Sequence, residues 1–264
     1  MKLKDKVAVI TGGSRGLGKA IARAYLEEGA VVIITARNQE TLRATVEELS
    51  PLGRIEGISM DVSEFSSVQD TIGGIAEKYG RVDILVNNAG IPAGPRGSGA
   101  ELYKQQAGPT TSGALLVDMT EEQFDRVITV NLKGVFACAK AAAGPMIERG
   151  YGRIINMSSV TAHNGSFGQT NYAATKAGII AMTQTWAKEL GKKGVTVNAV
   201  APGYTATEMI GSAPAEVLDT IRERTPVNRL GRPEEMAAAC VYLASDEAAF
   251  VNGAVLKIDG GIVL

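Results

Sequence analysis

The chain is poor in the side chains on which metal and disulfide chemistry depend. It has one histidine, two cysteines and one tryptophan in 264 residues. A lone His163, with no CxxC or HExxH spacing, argues against a zinc site. Cys138 and Cys240 lie inside apparent helices, which fits reduced core thiols in a cytoplasmic protein. Charge of either sign is no more prominent: 27 basic against 28 acidic residues give a net charge of −1. Without a basic stripe there is no support for nucleic-acid binding. No uninterrupted apolar stretch is long enough to span a membrane, and the start MKLKDKVAVITGG lacks a signal-peptide pattern. Neither a membrane nor a nucleic acid is therefore expected as a partner.

What the chain does have is alternation. Apolar runs at 7–11, 30–36, 54–60, 82–88, 153–158, 195–201 and 254–259 read as strands. Helical patterns separate them at 16–28, 38–49, 64–79 and 120–149, from about Tyr172 onward, and at 233–245. Such βαβ repetition predicts an α/β fold: a doubly wound parallel sheet with helices on both faces. No linker, repeat or composition shift divides it, so 1–264 reads as a single dinucleotide-binding and catalytic domain. The one irregular section is 91–116, rich in Gly, Pro, Ser and Thr and long for a connection, which reads as an inserted loop or lid.

TGGSRGLG, from Thr11 to Gly18, falls where the first strand gives way to the first helix. Gly12, Gly16 and Gly18 permit a tight turn, close approach to a pyrophosphate and close helix–strand packing, with Ser14, Arg15 and Leu17 between them. At the end of the second strand, Ala36 stands where an acidic residue would take the ribose hydroxyls of NAD, and Arg37 follows. Arg15 and Arg37 can together grip a 2′-phosphate, which favours NADPH over NADH. A solvent-facing strand cap is the plainer reading of Arg37. Asp61 and Val62 would lie over an adenine, though Asp61 reads equally as a turn cap for the helix at 64. Asn87, Asn88, Ala89 and Gly90 end the fourth strand, where small residues and side-chain amides suit a cofactor's ribose. After the sixth strand, Pro202, Gly203, Thr205 and Thr207 are placed to close over a nicotinamide.

The chemistry is concentrated in SVTAHNGSFGQTNYAATK, from Ser159 to Lys176. Tyr172 and Lys176 are four apart and share one helix face. A phenol titrates near ~10, and a neighbouring ammonium should favour its phenolate. Ser159 at the strand end can donate to a substrate oxygen that Tyr172 protonates or deprotonates, an arrangement suited to carbonyl–alcohol interconversion. Asn131, amid the apolar run VITVNLKGVF, needs partners if buried and could distort its helix and hold a water that feeds protons to Lys176. His163 in the same loop reads as solvent-facing polarity.

TGGSRGLG, NNAG, Asn131, Ser159, YAATK and PGYTAT, in this order over the whole chain, resemble the short-chain dehydrogenase/reductase family. NYAATKAGI, GVTVNAVAPG, RLGRPEE, YLASDEAAF and the closing DGG look most like its 3-oxoacyl-(acyl-carrier-protein) reductases. The resemblance implies a single-domain Rossmann-type sheet and an NADPH-dependent ketoreductase of fatty acid biosynthesis. Tyr172 would be the general acid, Lys176 would lower its pKa and bind the nicotinamide ribose, Ser159 would orient the carbonyl and Asn131 would anchor a relay water. It also implies a homotetramer built on the long helix, the helix after Tyr172 and the last strand. Two features depart from the subfamily: the length of 91–116, and Gly144 where such reductases place a basic docking residue. They leave room for a small secondary alcohol, sugar or cyclic ketone as substrate. A dinucleotide-binding regulator without catalysis would need the glycine loop but not the Asn131–Ser159–Tyr172–Lys176 set.

Overall fold

The computed structural model describes residues 1–94, 113–208, 210 and 215–262. Most of the section expected as a loop or lid, 95–112, lies outside the described residues. Seven strands follow one another as β1 (Val7–Thr11), β2 (Val31–Ala36), β3 (Ile55–Ser59), β4 (Ile84–Asn87), β5 (Gly152–Met157), β6 (Val195–Pro202) and β7 (Val255–Ile258). They form one sheet in the order β3-β2-β1-β4-β5-β6-β7, every pairing parallel. The inner strands are rich in Val and Ile and buried along their whole length, as a sheet covered on both faces requires. The order reverses between β1 and β4, and it is beyond the carboxyl ends of such strands that a ligand crevice opens.

The pleat divides the core into two. Ala8, Ile10, Ile34, Val86 and Met157 point to one face, against Ile21 and Tyr25 of α1 (Gly16–Glu27) and Cys240 of α9 (Pro233–Ala244). Val7, Val9, Ile33, Leu85 and Ile154 point to the other. There they meet Ile72 of α3 (Phe65–Tyr79), Ala142 of α5 (Gly134–Arg149) and Leu190 of α7 (Thr170–Leu190). Full burial of each Ile or Leu is worth roughly 1.5–3 kcal/mol, so both layers contribute heavily to stability. The α2 helix (Gln39–Leu49) starts on Asn38, whose side chain accepts from the Thr41 amide. Cys138 and Cys240 are both free and buried, as expected.

The long helix over 120–149 is not uniform. A capping box between Thr120 and Gln123 starts α4 (Glu121–Ile128), and a wide π turn at Thr129–Lys133 joins it to α5. By length and composition the run Glu121–Arg149 could cross a bilayer, but Asn131, Lys133 and Lys140 interrupt its apolar middle, in keeping with the sequence expectation of no uninterrupted apolar span. Its small residues Ala137, Ala139 and Ala142 are instead buried against α3 and the sheet. Two short helices escape sequence reading, α6 (Thr161–Asn164) and α8 (Ala215–Glu223). The second buries Val217 and Ile221, one helical turn apart.

Candidate active site

The turn after β1 is shaped for an anion. Gly12 and Gly16 have φ of +65° and +52°, the left-handed region that favours glycine. A Cβ on Gly18 would lie 2.3 Å from the Gly12 carbonyl oxygen, so this position must stay bare for α1 to approach the loop. No side chain caps α1, which leaves its first amides for a ligand. Thr11 and Asn88 join this loop to the end of β4. Thr11 Oγ1 accepts from the amides of Asn88 and Ala89, both at 3.0 Å. Asn88 Nδ2 donates to the carbonyls of Thr11 and Gly12 at 2.9 and 3.1 Å. Asn88 Nδ2 is thus committed to the protein itself. Asn87 is buried and donates to Asn156 at 2.8 Å, so it too faces inward.

A cavity of about 740 Å³ runs across the carboxyl ends of β2, β1, β4, β5 and β6. Gly12, Ser14, Arg15, Gly16, Leu17, Arg37, Asp61, Val62, Asn88, Ala89 and Gly90 line it. So do Ser159, Tyr172, Lys176, Pro202, Gly203, Thr205 and Thr207. Of the residues expected in the site, Gly18, Asn87 and Asn131 stand behind its wall. Arg37 is exposed and pairs with Asp61 at 3.6 Å. Asp61 Oδ1 accepts from the Ser63 amide and hydroxyl at 2.9 and 2.7 Å, so the turn-cap reading holds while Oδ2 faces Arg37. Burial pushes the Asp61 carboxyl up, but the Ser63 bonds and Arg37 outweigh it and hold the pKa below the ordinary value.

Ser159 follows β5, and Tyr172 and Lys176 stand on the first two turns of α7. Ser159 and the Tyr172 phenol line the same cavity, and Ser159 Oγ accepts from the Thr161 amide at 3.3 Å. Lys176 is 5% exposed and donates from Nζ to the Met157 carbonyl at 2.7 Å. The Ser158 hydroxyl donates to the carbonyl of Lys176 at 2.8 Å, which ties the helix to the strand end a second time. Burial pushes the phenol up to about 12, and pushes Lys176 down to about 8. Burial is the largest influence on the Tyr172 phenol, ahead of Ser159.

Asn131 is fully buried within the π turn. Its Oδ1 accepts from the Ile91 amide at 2.8 Å and its Nδ2 donates to the Ile91 carbonyl at 2.9 Å. The helix is distorted where the sequence suggested, and the side chain pins the segment leaving β4. Met157 and Ser158 are the partners that sequence reading missed. Both act through main-chain or local bonds that leave no motif. His163 is exposed.

Comparison with known proteins places this geometry. The model of a family described as enoyl-(acyl carrier protein) reductase matches residues 12–263. The chain belongs to the short-chain dehydrogenase/reductase family. It is 43% identical to a 3-oxoacyl-[acyl-carrier-protein] reductase, FabG, of Thermotoga maritima, over the full length of both. It is 38% identical to BbsD of Thauera aromatica, a (2S)-[(R)-hydroxy(phenyl)methyl]succinyl-CoA dehydrogenase subunit, over 99% of this chain and 98% of that one. A solved structure provisionally described as a gluconate dehydrogenase from Agrobacterium tumefaciens superposes with a TM-score of 0.88 at 31% identity, covering 100% and 98% of the two chains. As a short-chain dehydrogenase/reductase the protein is an oxidoreductase of CH–OH and C=O groups that uses a nicotinamide dinucleotide. The bare cradle at Gly18 and the uncapped start of α1 fit such a group.

Proposed function

We propose that this protein is an NADPH-dependent ketoreductase whose substrate is a 3-oxoacyl thioester. The observation that carries this reading is one cavity lined both by Arg15 and Arg37 and by Ser159, Tyr172 and Lys176. The ends of β2 and β5 are three strand spacings apart, about 14 Å, room for a dinucleotide laid across the switch point. Gly12 to Gly18 and the α1 amides would hold the pyrophosphate, Arg15 and Arg37 the 2′-phosphate, and Asp61 and Val62 the adenine. Lys176, Pro202, Gly203, Thr205 and Thr207 would hold the nicotinamide end. When bound, the cofactor supplies a hydride to the carbonyl carbon.

The chain's own residues manage the proton. The Ser159 hydroxyl donates to the carbonyl oxygen and fixes its place. The Tyr172 O–H bond breaks as its proton passes to that oxygen; even near 12, the phenol is far more acidic than the alcohol it makes. Lys176, near 8, both keeps and releases a proton at neutral pH and can restore the phenol. With the Asn131 side chain committed to Ile91, a relay water would be anchored by main-chain carbonyls of the π turn.

The printed names of the relatives support the thioester. The homotetramer implied by the family likeness is supported by Phe124 and Phe136 on α4–α5 and Leu256 on β7, all left exposed. Two free thiols suit the reducing conditions of a cytoplasm. A second reading, a small ketone or secondary alcohol as substrate, is favoured by Gly144, which faces open space where a docking cation was expected. Lys192 and Lys193, just after the C-terminal end of α7, are exposed cations that could meet an acidic carrier. The deciding experiment follows NADPH oxidation with a 3-oxoacyl group on acyl-carrier protein and with the same group on pantetheine. Strong preference for the carrier-linked form supports the thioester reading and makes Lys192 and Lys193 the residues to mutate. Poor turnover of both retires it in favour of small ketones.

A further inference from the structure

Asn171 is the residue before Tyr172, and it is fully buried. Every hydrogen of its amide is engaged: Nδ2 donates to the carbonyls of Ala93 and Gln123 at 3.0 and 3.1 Å. Its Oδ1 accepts from the Tyr172 amide at 2.7 Å. That amide lies in the first turn of α7, where a helix offers no main-chain acceptor. Gln169, which precedes the helix, makes no side-chain cap. Asn171 therefore supplies the missing acceptor from inside the helix.

The two carbonyls it holds belong to the surroundings of Asn131. Ala93 is two residues beyond Ile91, which Asn131 grips through both its amide and its carbonyl. Gln123 sits on α4, the helix that runs into the π turn carrying Asn131. The bonds close a ring: Asn131 to Ile91, along the chain to Ala93, across Asn171 to Gln123, and back down α4. Tyr172 hangs from this ring by its own amide. The carbonyl of Gly168, just ahead of α7, also accepts from the Ala114 amide at 2.9 Å, so a second strap ties the same loop.

We infer that Asn171 is a positioning residue, which sets the main chain of Tyr172 against Asn131 and the segment leaving β4. It touches neither substrate nor cofactor and acts through Tyr172. Shifting a reacting group by about 1 Å can cost on the order of 10²-fold in rate, so loss of this clamp should appear in turnover. The inference rests on Tyr172 being the proton donor, as proposed above, but not on the thioester.

The test compares Asn171→Ala with Asn252→Ala. Asn252 makes similar bonds at the far end of the same helix: Nδ2 donates to the Ala187 carbonyl and Oδ1 accepts from the Val197 amide, both at 2.9 Å. Both variants should melt below wild type. Asn171→Ala should lose about 10- to 100-fold in kcat with NADPH affinity held within about threefold. Asn252→Ala should keep kcat within about threefold. Asn171→Ser, with a shorter side chain that keeps a hydroxyl acceptor, replaces the alanine variant if that does not fold, and should recover part of the loss. Rates are read on whichever carbonyl compound the wild type reduces, so failure on thioesters leaves the test intact. Equal kcat losses in the two asparagine variants, or a wild-type kcat in Asn171→Ala, would overturn the assignment. If Tyr172→Phe retains turnover, the proton-donor reading itself is at fault instead.

Discussion

The Lys176 ammonium lies 5.4 Å from the ring centre of Tyr172, yet its hydrogen bond goes to the carbonyl of Met157. The pair that sequence spacing places on one helix face is thus a neighbourhood, with each member held by a different element. Asn171 holds the Tyr172 main chain and β5 holds the amine. Acid and proton reservoir can then be tuned separately by their surroundings.

Removal of the phenolic hydroxyl tests the acid. Tyr172→Phe should lower turnover by at least about 10²-fold while NADPH binding, measured by fluorescence titration, stays close to wild type. Retained turnover would refute the role.

Cofactor choice rests on Arg37. Arg37→Asp replaces the cation with a carboxylate beside Asp61, now 3.6 Å from the guanidinium, and should swing preference from NADPH toward NADH. The ratio of kcat/KM for the two cofactors measures it. A preserved NADPH preference would mean that the phosphate is gripped elsewhere.

Lys176 should leave a signature in stability. Its folded pKa of about 8 lies below the ordinary lysine value of 10.5, because burial disfavours the ammonium. Below pH 8 both folded and unfolded states carry the proton, and its contribution is constant. From pH 8 to 10.5 the unfolded chain binds more protons, so stability rises with pH, by up to about 3 kcal/mol over the whole window. Because the buried Cys138, Cys240 and Tyr172 are shifted upward and pull stability the other way, the signal is the difference: in denaturant unfolding the wild type should gain stability relative to Lys176→Met across this window. Parallel curves would contradict the buried amine.

The bare position in the glycine loop is the sharpest steric prediction. Gly18→Ala brings a methyl to 2.3 Å from the Gly12 carbonyl oxygen and 2.5 Å from Asn88 Nδ2. Overpacking of this kind costs about 1–3 kcal/mol, and the displaced loop should bind NADPH more weakly. Melting temperature and cofactor titration both report it; an unshifted melt with full affinity would show that the loop relaxes freely.

Periodicity and punctuation carried the fold. Alternating runs of Val and Ile set seven strands, and parallel connection left little topological choice, because a strand's two-residue pleat and a helix's 3.6-residue turn imprint directly on apolar spacing. The glycine loop, Ser159, Tyr172 and Lys176 were legible for a similar reason: a bare backbone and a shared helix face are local demands. What only the tertiary structure decided is where shared polar groups go. Asn88, which lines the cavity, also ties two loops together through Nδ2, and Asn131 gave its amide to Ile91. Asn171 became the clamp beside Tyr172, and burial became the largest influence on the phenol. Hydrogen-bond partners and desolvation depend on segments brought together from far along the chain, and no spacing rule within one segment encodes them.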